Sequence, residues 1–186
     1  MCIRDRPYMK EGVFETWKKR IPWLLILMIS ATFTGKIIQI YEDALATYVV
    51  LTSFIPMFMD TGGNAGGQAS VTIIRGLSLN EIQYRDVFKI IWKEIRVAVL
   101  VGVTLAAANF VKLMLIDRVS VLIALVVCIT LMITVMAAKI VGCTLPILAK
   151  RIGFDPAVMA SPFITTIVDA LSLIIYFQVA RALLGV

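Results

Sequence analysis

Residues Pro56–Gly76 read PMFMDTGGNAGGQASVTIIRG. The stretch opens inside an apolar segment that begins near Ala44 and closes in an apolar run ending at Ile74. Between them stand Asp60, Asn64 and Gln68, interleaved with Gly62, Gly63, Gly66 and Gly67. A carboxylate and two amides at membrane depth are unfavourable unless something polar faces them. Glycine removes side-chain bulk, so backbone carbonyls and neighbouring helices can come close. On a helix, Pro56, Asp60, Asn64 and Gln68 repeat at i, i+4 and share one face. Gly62/Gly66 and Gly63/Gly67 form two small-xxx-small pairs beside it. A polar stripe edged by helix-contact glycines suits an element that lines a pore. A helix-packing motif with incidental polar groups is the plainer alternative, and Asp60 with Asn64 weighs against it.

Working outward, the 186 residues are 60% hydrophobic and only 16% charged. Soluble domains run at about 45–50% apolar and about 25% charged. The apolar runs are of helix length rather than barrel-strand length, so the expected class is an all-α integral membrane protein. The net charge of +6 needs no nucleic-acid partner, because cytoplasmic loops of membrane proteins collect Lys and Arg. Cys2, Cys128 and Cys143 are widely separated and suggest neither a disulfide framework nor a zinc site. With no histidine, a soft-metal site or a His-Glu zinc motif is not expected.

Five transmembrane helices are expected, at about 21–40, 44–74, 97–116, 119–148 and 157–184, together making one channel domain over 21–186. Residues 1–20 form a charged, amphipathic lead-in on the cytoplasmic surface, and MCIRDR at its start reads as a scar or an arbitrary beginning within a longer chain. Pro22 falls in the first turn of the first span, and Trp17, Trp23 and Tyr41 mark its interfaces. Glu42 and Asp43 form the turn that follows. The second span is longer than a straight crossing needs, so it is expected to tilt, to kink at Pro56 or to loosen around Gly62–Gly67. Ser78 and Glu81 have capping-box spacing, opening an amphipathic surface helix over 77–96. Lys139 is expected to snorkel at the inner edge or to form a buried ion pair. Asp155-Pro156 reads as N-cap and N1 of the last helix.

On that fifth span Ser161, Thr165, Asp169, Ser172 and Tyr176 follow at spacings of 4, 4, 3 and 4, which puts them on one face. With the N-terminus inside, all of the 18 basic residues except Lys36, Lys112, Arg118 and Arg181 fall on the cytoplasmic side. That places the C-terminus outside a plasma or inner membrane.

Asp60 and Asp169 are the two intramembrane carboxylates, each among hydroxyls, amides and glycine backbone. Such all-oxygen surroundings suit a hard cation: Mg²⁺, Ca²⁺ or Mn²⁺. Mg²⁺ dehydrates reluctantly, so few direct protein ligands are expected. Five helices are few to enclose a conducting path, whereas a symmetric dimer would set two copies of each polar stripe about one axis.

The stretch FIPMFMDTGGNAGGQASVTIIRGLSLNEI, and the tail LPILAKRIGFDPAVMASPFITTIVDALSLIIYF, resemble the MgtE-type magnesium channels over essentially all of residues 15–186. The resemblance implies a homodimeric five-helix domain with a Mg²⁺ pore on the two-fold axis. It puts the family's central acid at Asp169, its glycine-asparagine pore segment at Gly63, Asn64, Gly66 and Gly67, and the residue one turn before the acid at Thr165. Members of that family usually carry a cytoplasmic N-terminal domain and a paired CBS domain that close the pore. Here only residues 1–20 could belong to the connecting helix, so the chain is expected to be a fragment or to lack that sensor.

An ion-coupled secondary transporter of divalent cations is the alternative, with Asp60 and Asp169 as protonation sites; no inverted repeat is visible to support it. Asp60-Thr61-Gly62 repeats the tripeptide of aspartic proteases, but Asp169 is followed by Ala-Leu, and catalysis is not expected. A scaffold whose polar residues only join helices is a third reading.

Overall fold

A computed structural model describes residues 12–153 and 156–185, with the side chains of residues 19, 20, 23, 43, 44, 84 and 156–162 outside the described set. The expectations for residues 1–11, for the Asp155 cap, for the Trp23, Asp43, Tyr84 and Ser161 side chains and for Val186 therefore lie outside the described residues. Long helices dominate: α1 Val13–Ile40, α2 Glu42–Thr47, α3 Ile55–Ser78, α4 Val87–Lys112, α5 Val121–Arg151 and α6 Pro156–Leu184. Val87–Asp117, Val121–Arg151 and Phe163–Leu184 are long and apolar enough to cross a membrane, and α1 adds a shorter apolar helix over Leu24–Ile40. The polar residues of its stripe dilute the hydropathy of α3.

The central element is α5, which packs against α3, α4 and α6, while α3 also packs on α6 and α1 leans on α6. Val126, Val127, Leu131, Val135 and Ala138 of α5 are buried. Leu24, Leu25, Met28 and Phe33 of α1 and Leu100 and Val103 of α4 are exposed and apolar. Exposed apolar side chains on helix-length segments are what a lipid-facing surface requires.

Backbones meet closely on one seam. A Cβ built on Gly142 of α5 would overlap the Gly66 carbonyl of α3 and lie 2.9 Å from Gly66 Cα. Only a glycine lets the two helices approach this far.

The long second span is interrupted before its proline. Tyr48 leaves helical geometry at φ −127°, ψ 76°, and Val49–Phe54 form a 3₁₀ turn. Pro56 then sits in the first turn of α3. Proline has no N–H for the Thr52 carbonyl, and its ring opposes a continuous α-helix through the preceding turn. The Ile55 N–H bonds Thr52 O instead. Gly62–Gly67, where loosening was the other expectation, is regular α-helix.

Pro22 is also placed differently. Because α1 starts at Val13, Pro22 lies inside the helix rather than in its first turn, forfeiting an i→i−4 bond. Glu42 begins α2 rather than a bare turn.

Ser78 and Glu81 do not open a helix; they close one. Asn80 takes the left-handed region at φ 56°. The Glu81 N–H donates to Gly76 O at 2.9 Å and the Asn80 N–H to Leu77 O at 3.4 Å, the paired bonds of a Schellman stop. The capping box forms three residues on, where the Gln83 N–H donates to Asp86 Oδ2 at 3.2 Å. From Val87 the expected surface helix and third span are one continuous α4.

Candidate functional site

The glycines of α3 divide between two faces. A Cβ on Gly62 would stand 2.7 Å from Ser172 Oγ and 2.9 Å from Val168 Cγ1. One on Gly66 would meet Ala138 O and Ile164 Cγ2, both at 3.1 Å. A methyl group at Gly62 would force the Ser172 or Val168 side chain to move, and one at Gly66 would press on the α5 backbone and Ile164, so Gly62 and Gly66 are the surface on which α3 packs against α5 and α6. Gly67 has open space around its Cβ position. Gly63 stands between the two faces: its Cβ would lie 3.6 Å from Thr165 Cγ2 and 3.9 Å from Asp169 Oδ1, ordinary contact distances.

Pro56, Asp60, Asn64 and Gln68 are all exposed, as the i, i+4 spacing requires of a shared face. Among the described residues no helix covers them. Gly63 joins this stripe to α6, where Thr165 and Asp169 are half-buried. Asp60 acts repulsively on Asp169 through its charge, and among the described residues no cation pairs with Asp169. The sequence-derived residues Asp60, Asn64, Gly67, Thr165 and Asp169 thus gather along one open edge, with Gly63 buried beside them where α3 meets α6. Gly66 faces the interior.

The polar face expected on α6 does not stay together. Ser172 and Tyr176 are buried. The Ser172 hydroxyl donates to Val168 O at 2.6 Å and faces Gly62. The Tyr176 hydroxyl donates to Leu51 O at 2.8 Å, and its ring packs on Phe58 with centroids 4.5 Å apart. Toward its C-terminal half α6 runs beneath the start of α3, so the same face passes from an open edge into the core.

Lys139 is 5% exposed and neither snorkels nor reaches Asp169. Its ammonium donates to Glu94 Oε2 of α4 at 3.5 Å. Of the two expectations for Lys139 the buried ion pair therefore holds; sequence reasoning put Glu94 in a surface segment and so missed the partner. The available signal was Lys139 itself, since a lone cation in an apolar run needs a counter-charge. Gly142 was missed as well; its only sign in the sequence is a glycine four residues before Pro146.

Among the described residues no three His, Cys, Asp or Glu side chains converge as a metal cage. The open edge instead offers the Asp60 and Asp169 carboxylates, the Asn64 amide and the Thr165 hydroxyl. Oxygen groups with two acids and no cation suit outer-sphere contacts to a hydrated hard cation better than a closed coordination shell.

A family profile described as "Divalent cation transporter", MgtE, matches residues 55–179. Over 98% of its length the chain is 34% identical to a Magnesium transporter MgtE of Thermus thermophilus, covering 40% of that protein. It is 34% identical over 88% of its length to a Magnesium transporter MgtE of Bacillus subtilis, covering 36% of it. A namesake from Enterococcus faecalis is 30% identical over 95% of the chain and 39% of the relative. The chain thus spans well under half the length of the curated relatives it matches.

Proposed function

Because the chain belongs to the MgtE family of divalent cation transporters, we propose that it carries Mg²⁺ across a membrane through a channel-like pore shared by two copies. The observation that carries this reading is the uncovered polar edge. Asp60, Asn64 and Gln68 are exposed on a helix whose neighbours are long and apolar, and intramembrane acids face a partner or an aqueous path rather than lipid. A second copy related by a two-fold axis would cover the edge and double its carboxylates.

In this reading α1, α3, α4, α5 and α6 are the five crossings, with the N-terminus cytoplasmic and the C-terminus outside. The two copies of Asp169 attract the hydrated ion and would repel one another without it. Thr165 and Asn64 accept or donate hydrogen bonds to its water shell. Gly63 keeps side-chain bulk out of the space beside Asp169, and Gly67 does the same one turn along. Gly66 serves indirectly, by letting α3 settle on α5. Holding the ion through water keeps binding weak enough for release.

The test is Mg²⁺ uptake into proteoliposomes by Asp169→Asn, with dimer content measured in parallel. The substitution keeps the shape and removes the charge. Normal assembly with at least a tenfold loss of flux, on the scale of one lost charge-assisted contact of about 1.5–3 kcal/mol, is expected. Wild-type flux would mean that the carboxylate is structural and the ion passes elsewhere.

A further inference from the structure

The Schellman stop at Asn80 leaves a cleft of about 440 Å³ between the α3–α4 turn and the last turn of α5, lined by Leu77, Asn80, Ile82, Gln83, Arg85 and Lys150. We propose that this cleft binds the phosphate headgroup of an anionic phospholipid through Arg85 and Lys150, with an acyl chain lying along Phe88 and Trp92.

The floor is built before the ligand arrives. Gly76 lets Ile82 fold back onto α3, since a Cβ there would stand 2.8 Å from Ile82 Cγ1. Leu77 and Ile82 make the apolar base. Asn80 and Gln83 bring amides to the wall, and Lys150 is fixed at the rim by donating to Leu77 O at 2.8 Å. That bond uses one of its three ammonium protons and leaves two for an anion. Arg85 is exposed, with five donors in a planar fork that matches phosphate oxygens.

Among the described residues the lining carries two cations and no carboxylate. Asp86, beside Arg85, is already engaged: it accepts from the Gln83 N–H and pairs with Lys89 at 3.7 Å. Glu81 is exposed and is not among the lining residues. A volume of this size falls within the range of small-ligand sites.

Placement selects a lipid over a dissolved phosphate. The cleft lies where α3 and α5 end and α4 begins, the end that bears Arg75, Arg85, Lys89, Lys93, Arg96, Lys150 and Arg151. Basic pockets between helices at such an end meet the headgroup layer of an anionic leaflet. Arg85, Phe88 and Trp92 are spaced 3 and 4 apart and share one face of the segment leading into α4. Phe88 is 86% and Trp92 61% exposed, and Val99 continues the same stripe toward the membrane centre. A cation, then aromatic rings, then aliphatic side chains is the profile of a phospholipid read from headgroup to tail. A free phosphate would have no use for the aromatic part.

The experiment is native mass spectrometry of the protein released from nanodiscs of mixed phosphatidylglycerol and phosphatidylcholine. Arg85→Gln and Phe88→Ala are the variants, because Lys150 also holds the end of α3. The expected result is preferential retention of phosphatidylglycerol, falling about fivefold in Arg85→Gln, the effect of one basic residue near an anionic leaflet. Phe88→Ala should lower retention of both lipids, and millimolar inorganic phosphate should not displace them. Equal retention of the two lipids by the unsubstituted protein, or no change in Arg85→Gln, overturns the proposal. Displacement by inorganic phosphate would overturn it too, making the cleft a site for soluble anions.

Discussion

The two faces of α3 use the same residue type for opposite ends. At Gly62 and Gly66 a methyl group would crowd Ser172, Val168, Ile164 and the α5 backbone, so glycine suits the packed side. A Cβ at Gly67 would meet nothing within 4 Å among the described residues, and one at Gly63 would make only ordinary contacts with Thr165 and Asp169. Charge divides the same way. On the packed side the buried Lys139 is paired with the largely buried Glu94. On the open side Asp60 and Asp169 stand near each other without a cation among the described residues. The interior charges are thus paired within one chain, whereas among the described residues the acids of the open edge have no such partner. Substitutions should separate the two sides, the packed side failing in stability and the open side in transport.

The largest effect is expected at the buried ion pair. Lys139→Met leaves Glu94 without its counter-charge, and removing one member of a buried pair costs about 3–5 kcal/mol. Adding Glu94→Leu should restore most of it, since apolar replacement of both members is often neutral. Thermal unfolding in detergent measures both. A double variant as unstable as the single one would show that the pair does not hold α4 to α5.

Gly142→Ala should come next. Its methyl group would strike the Gly66 backbone, which cannot rotate aside as a side chain could. Overpacking of this kind costs about 1–3 kcal/mol. An unchanged midpoint of unfolding would mean that α3 and α5 are not held as closely as the seam implies.

Much of this was legible in the sequence, and what was missed has physical causes. Helices α4, α5 and α6 followed from apolar runs, and Asp60, Asn64 and Gln68 share an exposed face as their spacing predicts. Periodicity gives directions around one helix but not the identity of its neighbours. It therefore grouped Ser172 and Tyr176 with Asp169, although the crossing of α3 buries the first two. It could not say which glycine pair packs, because that depends on Gly142, far along the chain. Proline marked a disturbance near Pro56, but the break falls at Tyr48–Phe54, before the ring, since it is the preceding turn that proline disfavours. Ser78 and Glu81 matched a helix start by spacing, and the left-handed Asn80 between them made a helix stop.

Tyr176→Phe should have a smaller effect. It removes the bond to Leu51 O, which fastens the 3₁₀ turn to α6, while the ring stays against Phe58. The expected loss is about 1 kcal/mol. A midpoint of unfolding equal to that of the unsubstituted protein would assign the anchoring to the rings alone.

The smallest effect on stability, and the sharpest test of the division, is expected at Gly67→Ala. A methyl group there meets nothing within 4 Å among the described residues, and alanine raises intrinsic helix preference by about 1 kcal/mol over glycine. The monomer fold should be unchanged or slightly more stable. If the open edge borders a shared ion path, the same methyl group, present once in each copy, narrows that path or displaces ordered water from it. Mg²⁺ flux in proteoliposomes should then fall while thermal stability does not. Gly66→Ala should do the reverse in order of cause, losing stability first and flux only as folded protein is lost. Measured per folded dimer, flux should thus drop in Gly67→Ala and hold in Gly66→Ala. Unchanged flux per folded dimer in Gly67→Ala would remove this part of α3 from the ion path, and the open edge would have to be explained by contact between copies alone.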